Sequence, residues 1–407
     1  MNKDMRNILL LSPVYPGPDL PKNTTPVVHY FAKEWVAMGY NVRVVALPSN
    51  FPAPILWFAK LFHAQLESML NLSIRTDKLR ECEYEIDGIS VTRFPLSKII
   101  PHARYGKKQI QSVVNKTINW CKKDNFTPDV IIGHWSNPLM DILPILKLHY
   151  CVPVCMIMHD DGANIQTLYK NDYKERLNSI DIIGYRSDAI KRRFEAQYGC
   201  KDKYIYCYSG VPEPFVNITP CHRTFENICN FIFVGMMISR KYPLAILEAL
   251  QQSNLENYDM TYIGDGAYVH KIATVINRDN ELNNKVHLLG RIDRGEIRKY
   301  LMQSDIFIMI SKNETFGLVY LEAMATGCIP IASRDEGFDG IIRDGENGFL
   351  CEAGNVEELA KIIDKINLMS SNELQKISQK AIETAKRFTD KEVARRYIED
   401  VIKLAKS

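Results

Sequence analysis

Four things are missing from these 407 residues: a Cys-x-x-Cys pair, a Gly-x-Gly-x-x-Gly fingerprint after the first apolar run, a hydrophobic stretch of membrane-spanning length, and a large excess of one charge. Each absence removes a class of protein. The ten cysteines are scattered, without the spacing of a zinc finger or a dithiol redox motif. Cys155 and Cys328 sit inside apolar runs, as small buried hydrophobes of a reducing compartment do. Where a dinucleotide-dependent dehydrogenase carries its glycines, the chain reads Ser12-Pro-Val-Tyr-Pro-Gly17. A net charge of +3, with acidic and basic residues alternating along most of the chain, excludes an electrostatic nucleic-acid binder. Pro13 and Pro16 cut the apolar run Ile8–Leu11 too short for a secretion signal, so it reads as a first β-strand. With no run long enough to span a bilayer, the expected location is the cytoplasm, extending to the inner face of the cell membrane.

What is present is ordinary globular material: 46% apolar and 24% charged residues, on a chain longer than one hydrophobic core usually supports. Two α/β domains follow. Apolar runs at 8–11, 42–47, 89–94, 130–132, 152–158 and 182–185 alternate with helical stretches, the pattern of a doubly wound sheet. The run Tyr204 to Pro214, with its prolines and glycine, marks the exit from a first domain spanning 1–215. A linker reaches about residue 227, a second alternating domain covers 228–390, and a charged helical tail occupies the end of the chain, 391–407 being its last helix. One segment stands apart: Phe51 to Leu70 is rich in aromatic and apolar residues, Trp57, Phe58 and Phe62 among them. It reads either as a helix buried in its domain or as a surface helix that touches lipid. The basic clusters Lys191-Arg192-Arg193 and Lys98 to Lys108 are candidates for an anionic acceptor or a membrane surface, or are simply solvated faces.

The chemistry concentrates between residues 305 and 332. Asp305 to Ser311 and Gly327 to Ala332 read as buried strands, and the stretch between them turns through Gly317 into an apolar helix, giving one βαβ unit. Glu314 and Glu322 stand eight positions apart across that turn. Ligands of open parallel sheets bind beyond the carboxyl ends of strands, which is where the loop carrying Glu314 lies. The unpaired amides of Gly317, Leu318 and Val319 at the helix start would face an anion, with Phe316 just before them.

These residues, with their surroundings, resemble glycosyltransferase family 4, whose members are retaining, nucleotide-sugar-dependent enzymes of the GT-B fold. The resemblance rests on Phe231-Ile-Phe-Val-Gly235, Arg240-Lys241, Gly264-Asp-Gly266, Val286-His-Leu-Leu-Gly290, Glu314 to Glu322 and Asp344-Gly-Glu-Asn-Gly348, in the family's order. It is strong over roughly residues 205–350 and scattered before them. It implies two Rossmann-like domains facing a central cleft, and a sugar moved from a nucleoside-diphosphate donor to a glycan or lipid-linked acceptor. Surface-polysaccharide assembly is the setting it suggests, with the first domain offering any peripheral membrane contact. By the same resemblance Glu322 accepts hydrogen bonds from the ribose, Glu314 holds hydroxyls of the transferred sugar, and Gly290 with Arg291 marks the strand end that meets the base. His159, opening His-Asp-Asp-Gly after an apolar strand, matches the histidine that faces the donor sugar; His134 ends a comparable strand.

Two departures stand out. The family carries arginine after the first glycine, where this chain has Met236, so the leaving diphosphate is left to Lys241, Arg240 and helix amides. The adjacent glycines of the family's first loop are replaced by Asn23-Thr-Thr-Pro26. No Asp-x-Asp triplet of the metal-dependent glycosyltransferases occurs, so neither a metal nor a cofactor is expected. Two alternatives share the expected fold: a non-catalytic nucleotide-sugar-binding subunit, which Met236 would suit, and a sugar-nucleotide epimerase, which should lack the complete glutamate pair.

Overall fold

A computed structural model describes residues 5–20, 26–62, 77–98, 103–216, 225 and 228–407. They form two compact units, one containing the chain up to Tyr208 together with Asp390–Ser407, the other containing Ser209–Thr389.

The first unit carries strands β1 (Asn7–Ser12), β2 (Asn41–Ala46), β3 (Ser49–Asn50), β4 (Cys82–Ile86), β5 (Ile89–Arg93), β6 (Leu96–Ser97), β7 (Val130–His134), β8 (Val154–Met158), β9 (Ile182–Tyr185) and β10 (Tyr204–Tyr206). Eight of them form one sheet in the order β10-β9-β8-β7-β1-β2-β5-β4, with β3 and β6 paired separately. The central strands are apolar at nearly every position because helices cover both faces of a parallel sheet. Only β4 runs antiparallel, and it alternates half-buried with exposed residues as an edge strand facing water on one side does.

The second unit carries β11 (Asn230–Val234), β12 (Asp259–Ile263), β13 (Val286–Leu288), β14 (Ile306–Met309), β15 (Ile329–Ser333) and β16 (Phe349–Cys351). They make one parallel sheet in the order β13-β12-β11-β14-β15-β16. Strand order reverses direction between β11 and β14, so the loops leaving these two strands diverge and open a crevice at their carboxyl ends.

The exit from the first unit falls after Tyr208, earlier than the expected 215. The Val211 amide donates to Phe388 O at 2.8 Å, and Phe215 and Val216 are buried, which ties the Glu213–Val216 turn to the second unit. The helical end of the chain is three helices, Val356–Asn367, Ser371–Lys386 and Asp390–Lys406. The last belongs to the first unit: Trp35 Nε1 donates to Ala394 O at 2.9 Å, and the Tyr397 ring packs edge-on against Phe31 and Trp35.

The Ala53–Leu61 helix leaves much of its apolar surface in water. Trp57 is 66% exposed, Leu61 56% and the following Phe62 43%, while Leu56 turns inward. Over its described part the segment is therefore a surface helix; 63–70 lie outside the described residues. Of the basic clusters, Lys191 and Arg192 are engaged within their own helix by Glu195 and Asp188, and Arg104 is held by Asp141. In the second cluster Lys98 is half-buried over the Tyr105 ring, and Lys107 and Lys108 are exposed.

Candidate functional site

The crevice between β11 and β14 gathers the second unit's motifs. Gly235 follows β11 and lies directly on Gly264, which follows β12: a Cβ added to Gly264 would stand 1.9 Å from Gly235 O. A Cβ on Gly266 would meet Met237 O at 2.5 Å. Both glycines also hold φ near +140°, a region closed to other side chains without strain. The Gly-Asp-Gly turn is thus a floor that lets two backbones touch. Gly264→Ala is expected to destabilise the protein by roughly 3 kcal/mol or more, since it combines strain with a backbone overlap. The check is the denaturant midpoint at unchanged slope; a variant as stable as the parent would show that this floor yields.

Above that floor the Ser239–Lys241 turn delivers two cations. Tyr242 ends the turn in a left-handed conformation, and Pro243 starts the next helix, fixing where Arg240 and Lys241 point. The loop after β14 is tied to the same turn, because the Lys312 amide donates to Arg240 O at 2.7 Å. Lys241 Nζ lies 3.7 Å from Glu314 Oε2 and 3.4 Å from Met309 Sδ. Burial lowers the lysine's pKa, and Glu314 works against that shift. Arg240, 37% exposed, places Nη1 3.4 Å from the same Glu314 oxygen. Arg240 also lines a cavity of about 500 Å³ with Ser239, Tyr242, Tyr268, Lys312 and Asn313. Met236, 47% exposed, projects no charge into this group.

Glu314 is itself positioned by residues that the sequence reading did not single out. Its amide donates to Glu336 Oε2 at 2.9 Å, and its carboxylate receives Ser311 Oγ at 3.4 Å. Gly337 lies so close to the 314–316 backbone that an added Cβ would fall 2.5 Å from Glu314 O. The only sequence cue for Glu336 and Gly337 is their place just past β15, at the carboxyl edge of the sheet. Gly317 adopts φ +84° as the cap of the Leu318–Ala325 helix, leaving Leu318 and Val319 in its first turn, half-buried. Phe316 differs from expectation: its ring is buried against Phe338, so only its main chain can meet a ligand.

One turn further, Glu322 is buried and engaged by Arg294, whose Nε and Nη2 lie 2.7 and 2.6 Å from Oε1. Burial raises this carboxyl's pKa, and Arg294 pulls it back. Gly290 takes φ +66° with open space where a Cβ would be, and Arg291 is exposed. The Asp344 to Gly348 motif is structural: Asn347 is buried, donates to Ile341 O and Thr384 Oγ1, and accepts from the Arg343 amide.

In the first unit, His159 follows β8 and is half-buried, whereas His134 ends β7 and is fully buried. His134 is therefore not placed to touch a substrate. It stands behind His159, with Nδ1 2.9 Å from His159 Nε2 and Nε2 3.3 Å from the Tyr397 hydroxyl. Burial first, and Arg186 second, push both imidazoles well below their usual pKa, so both are neutral. Trp135, in the positive-φ region at +70°, stacks flat on His159 with ring centroids 3.7 Å apart. This aromatic backing carries no sequence signal of its own. Asn23 to Thr25, of the first-loop departure, lie outside the described residues.

A doubly wound pair of α/β units, with cations, carboxylates and close-packed glycines at a strand-order reversal, defines a GT-B glycosyltransferase. Residues 224–387 match the family described as Glycosyl transferases group 1. An uncharacterised glycosyltransferase of Methanocaldococcus jannaschii is 30% identical over 324 residues, 74% of this chain and 80% of the relative. The lipopolysaccharide core biosynthesis glycosyltransferase LpsE of Rhizobium meliloti is 32% identical over 136 residues, 33% of this chain and 38% of the relative. Among solved structures, Anabaena Alr3699/HepE in complex with UDP and with UDP-glucose superimposes with TM-scores of 0.70 and 0.65. The identity is 18%, covering 98% of this chain and 100% and 99% of those chains. The chain belongs to the group 1 glycosyltransferases.

Proposed function

We propose that this enzyme is a retaining glycosyltransferase of family 4. It moves a hexose-type sugar from a nucleoside diphosphate to a glycan or glycolipid acceptor in surface-polysaccharide assembly. The observation that carries the reading is the convergence of Arg240 and Lys241 on Glu314 over a floor of glycines at the β11/β14 crevice. A departing diphosphate gains charge, and cations fixed in advance in a partly dry site stabilise it without having to reorganise. Lys241 and Arg240 take that task together, so Met236 leaves no deficit, and no metal is assigned a part. Glu314 then meets sugar hydroxyls, Glu322 the ribose, and Gly290 and Arg291 the edge of the base; His159, neutral and backed by Trp135, is the first unit's own candidate for contact with a sugar. The UDP and UDP-glucose bound by HepE and the lipopolysaccharide role in the name of LpsE support the donor class and the setting.

Thermal-shift screening against nucleotide sugars identifies the donor, since a ligand that binds only the folded state raises its apparent stability. Released nucleoside diphosphate and the anomeric configuration of the product, read by NMR, then test transfer and retention. Donor binding without transfer to any glycan or glycolipid acceptor would favour the non-catalytic alternative.

The exposed Trp57, Leu61 and Phe62, with Lys60 beside them, suit contact with an anionic lipid surface or a lipid-linked acceptor. Trp57→Ser combined with Leu61→Ser is expected to cut co-sedimentation with phosphatidylglycerol vesicles several-fold. Because both side chains are exposed, stability should stay within about 0.5 kcal/mol of the parent. Unchanged vesicle binding would remove this helix from the lipid contact.

A further inference from the structure

Glu322 raises a question of geometry. A ribose-binding carboxylate must present an oxygen, yet this one is buried in the Leu318–Ala325 helix and already paired. The pairing is one-sided. Nε of Arg294 donates to Oε1 at 2.7 Å, and Nη2 makes an ionic contact with the same oxygen at 2.6 Å. Arg294 opens the neighbouring Arg294–Gln303 helix and is only part-buried, while its Nη2 is buried against the carboxylate, so the guanidinium holds the group by its Oε1 end. Resting on the proposed ribose role of Glu322, we propose that Arg294 is a positioning residue for donor recognition: it pins Oε1 so that Oε2 is presented, ionised and in a fixed direction, to the ribose hydroxyls.

Among the described residues no other charged group acts on this carboxylate. Burial and Arg294 are the two influences on the Glu322 carboxyl. The Ser371–Lys386 helix, packed on the same element, turns Leu374, Ile377, Ser378, Ala381 and Ile382 inward, none of them charged. Strand β15 contributes Ile, Pro, Ala and Ser, and the Glu213–Val216 turn buries Phe215 and Val216 while Glu213 is exposed. On the Arg294–Gln303 helix and its approach, Arg291, Asp293 and Glu296 are exposed. Without Arg294, burial alone would act on the carboxyl and its pKa would climb further. The charged acceptor would then persist at high pH and be lost as pH falls through the raised value.

The test compares ribose-containing and 2′,3′-dideoxy forms of whichever of UDP, GDP and ADP the parent binds best, by calorimetry between pH 6 and 8. In the parent, removing the hydroxyls should weaken binding roughly 10- to 100-fold, as for a hydrogen bond to a charged group. Arg294→Ala should shrink that ratio, and shrink it further at the lower pH, since loss of the arginine moves the carboxyl further in the direction burial already takes it. Arg294→Lys, which retains a charge without the fork, should keep the ratio at both pH values but at a reduced size. Glu322→Ala should abolish the ratio throughout. If Glu322→Ala abolishes it while Arg294→Ala retains it fully across the pH range, the positioning role is overturned and the ribose role stands. If Glu322→Ala leaves the ratio intact, the ribose role itself falls, and this inference with it.

Discussion

Lys241→Ala is expected to reduce kcat/KM by at least 10²- to 10³-fold, the loss of roughly 2.7 to 4 kcal/mol that follows removal of one preorganised group from a charge-stabilising site. The lysine is well placed for such an effect: its Nζ is largely buried beside Gly235, Met309 and Glu314. Burial already lowers its pKa and leaves it little screened by water, so an arriving diphosphate competes with Glu314 for a charge that acts strongly at short range. Arg240→Ala separates two readings of Met236. If Arg240 replaces the missing family arginine, its loss should match that of Lys241 within about tenfold. If its 37% exposure makes it a surface charge, the loss should stay under about 1 kcal/mol. Affinity for the free nucleoside diphosphate is measured alongside. Unchanged affinity in both variants would remove the diphosphate from this crevice. Raising pH adds a check: a lysine with a lowered pKa gives up its charge sooner than an ordinary one, so diphosphate affinity should weaken earlier on the alkaline side.

The parts of this site legible in the sequence are those set by local chain geometry. A run of apolar residues, then a glycine turn, then an apolar helix can form only one kind of unit in a parallel sheet. The placement of Glu314 at a strand end and of Glu322 inside the Leu318–Ala325 helix followed from that pattern. Gly264 and Gly266 were legible as a turn motif of the resemblance, but the contact of two backbones that they allow depends on how β11 and β12 pair. Depth was not readable. His134 and His159 both stand at carboxyl ends of neighbouring strands. Yet His134 still pairs within the sheet, opposite Ile157, while His159 lies one residue beyond β8, and that single step separates a core residue from an accessible one. Phe316 was misplaced for a similar reason, since the ring that fills its pocket, Phe338, comes from a distant loop.

Partners from other elements were equally silent. Arg294 and Glu336 act on Glu322 and Glu314 across 28 and 22 positions, and nothing in their own neighbourhoods announces a role. Trp135 sits at positive φ without being glycine, asparagine or aspartate, so no turn rule marks it. The Ala53–Leu61 helix shows the opposite failure. Its apolar pattern was plain, but whether another element covers it depends on the rest of the fold, and Trp57 proved exposed.

Glu314→Gln should lower turnover by roughly 10²-fold while leaving affinity for the free nucleoside diphosphate intact or stronger. The substitution keeps the shape of the side chain, and the hydrogen bond that holds the loop runs from the Glu314 main-chain N–H to the Glu336 carboxylate, so the helix start should stay in place. What disappears is a negative charge 3.4 Å from Arg240 and 3.7 Å from Lys241. In the empty site that charge holds both cations; without it they are fully available to an anion, which sets the sign of the affinity change. The catalytic loss has a separate origin. A carboxylate that accepts from hydroxyls of the transferred sugar contributes roughly 1.5 to 3 kcal/mol, and an amide accepts more weakly. If those bonds strengthen as the sugar gains positive character, kcat and kcat/KM fall together. Steady-state kinetics with the identified donor, set beside calorimetry with the free nucleoside diphosphate, measure both quantities. Parental turnover would remove Glu314 from the sugar. Collapse of nucleoside-diphosphate affinity would mean instead that this carboxylate organises Lys241 and Arg240 for the phosphates, with contact to the sugar secondary.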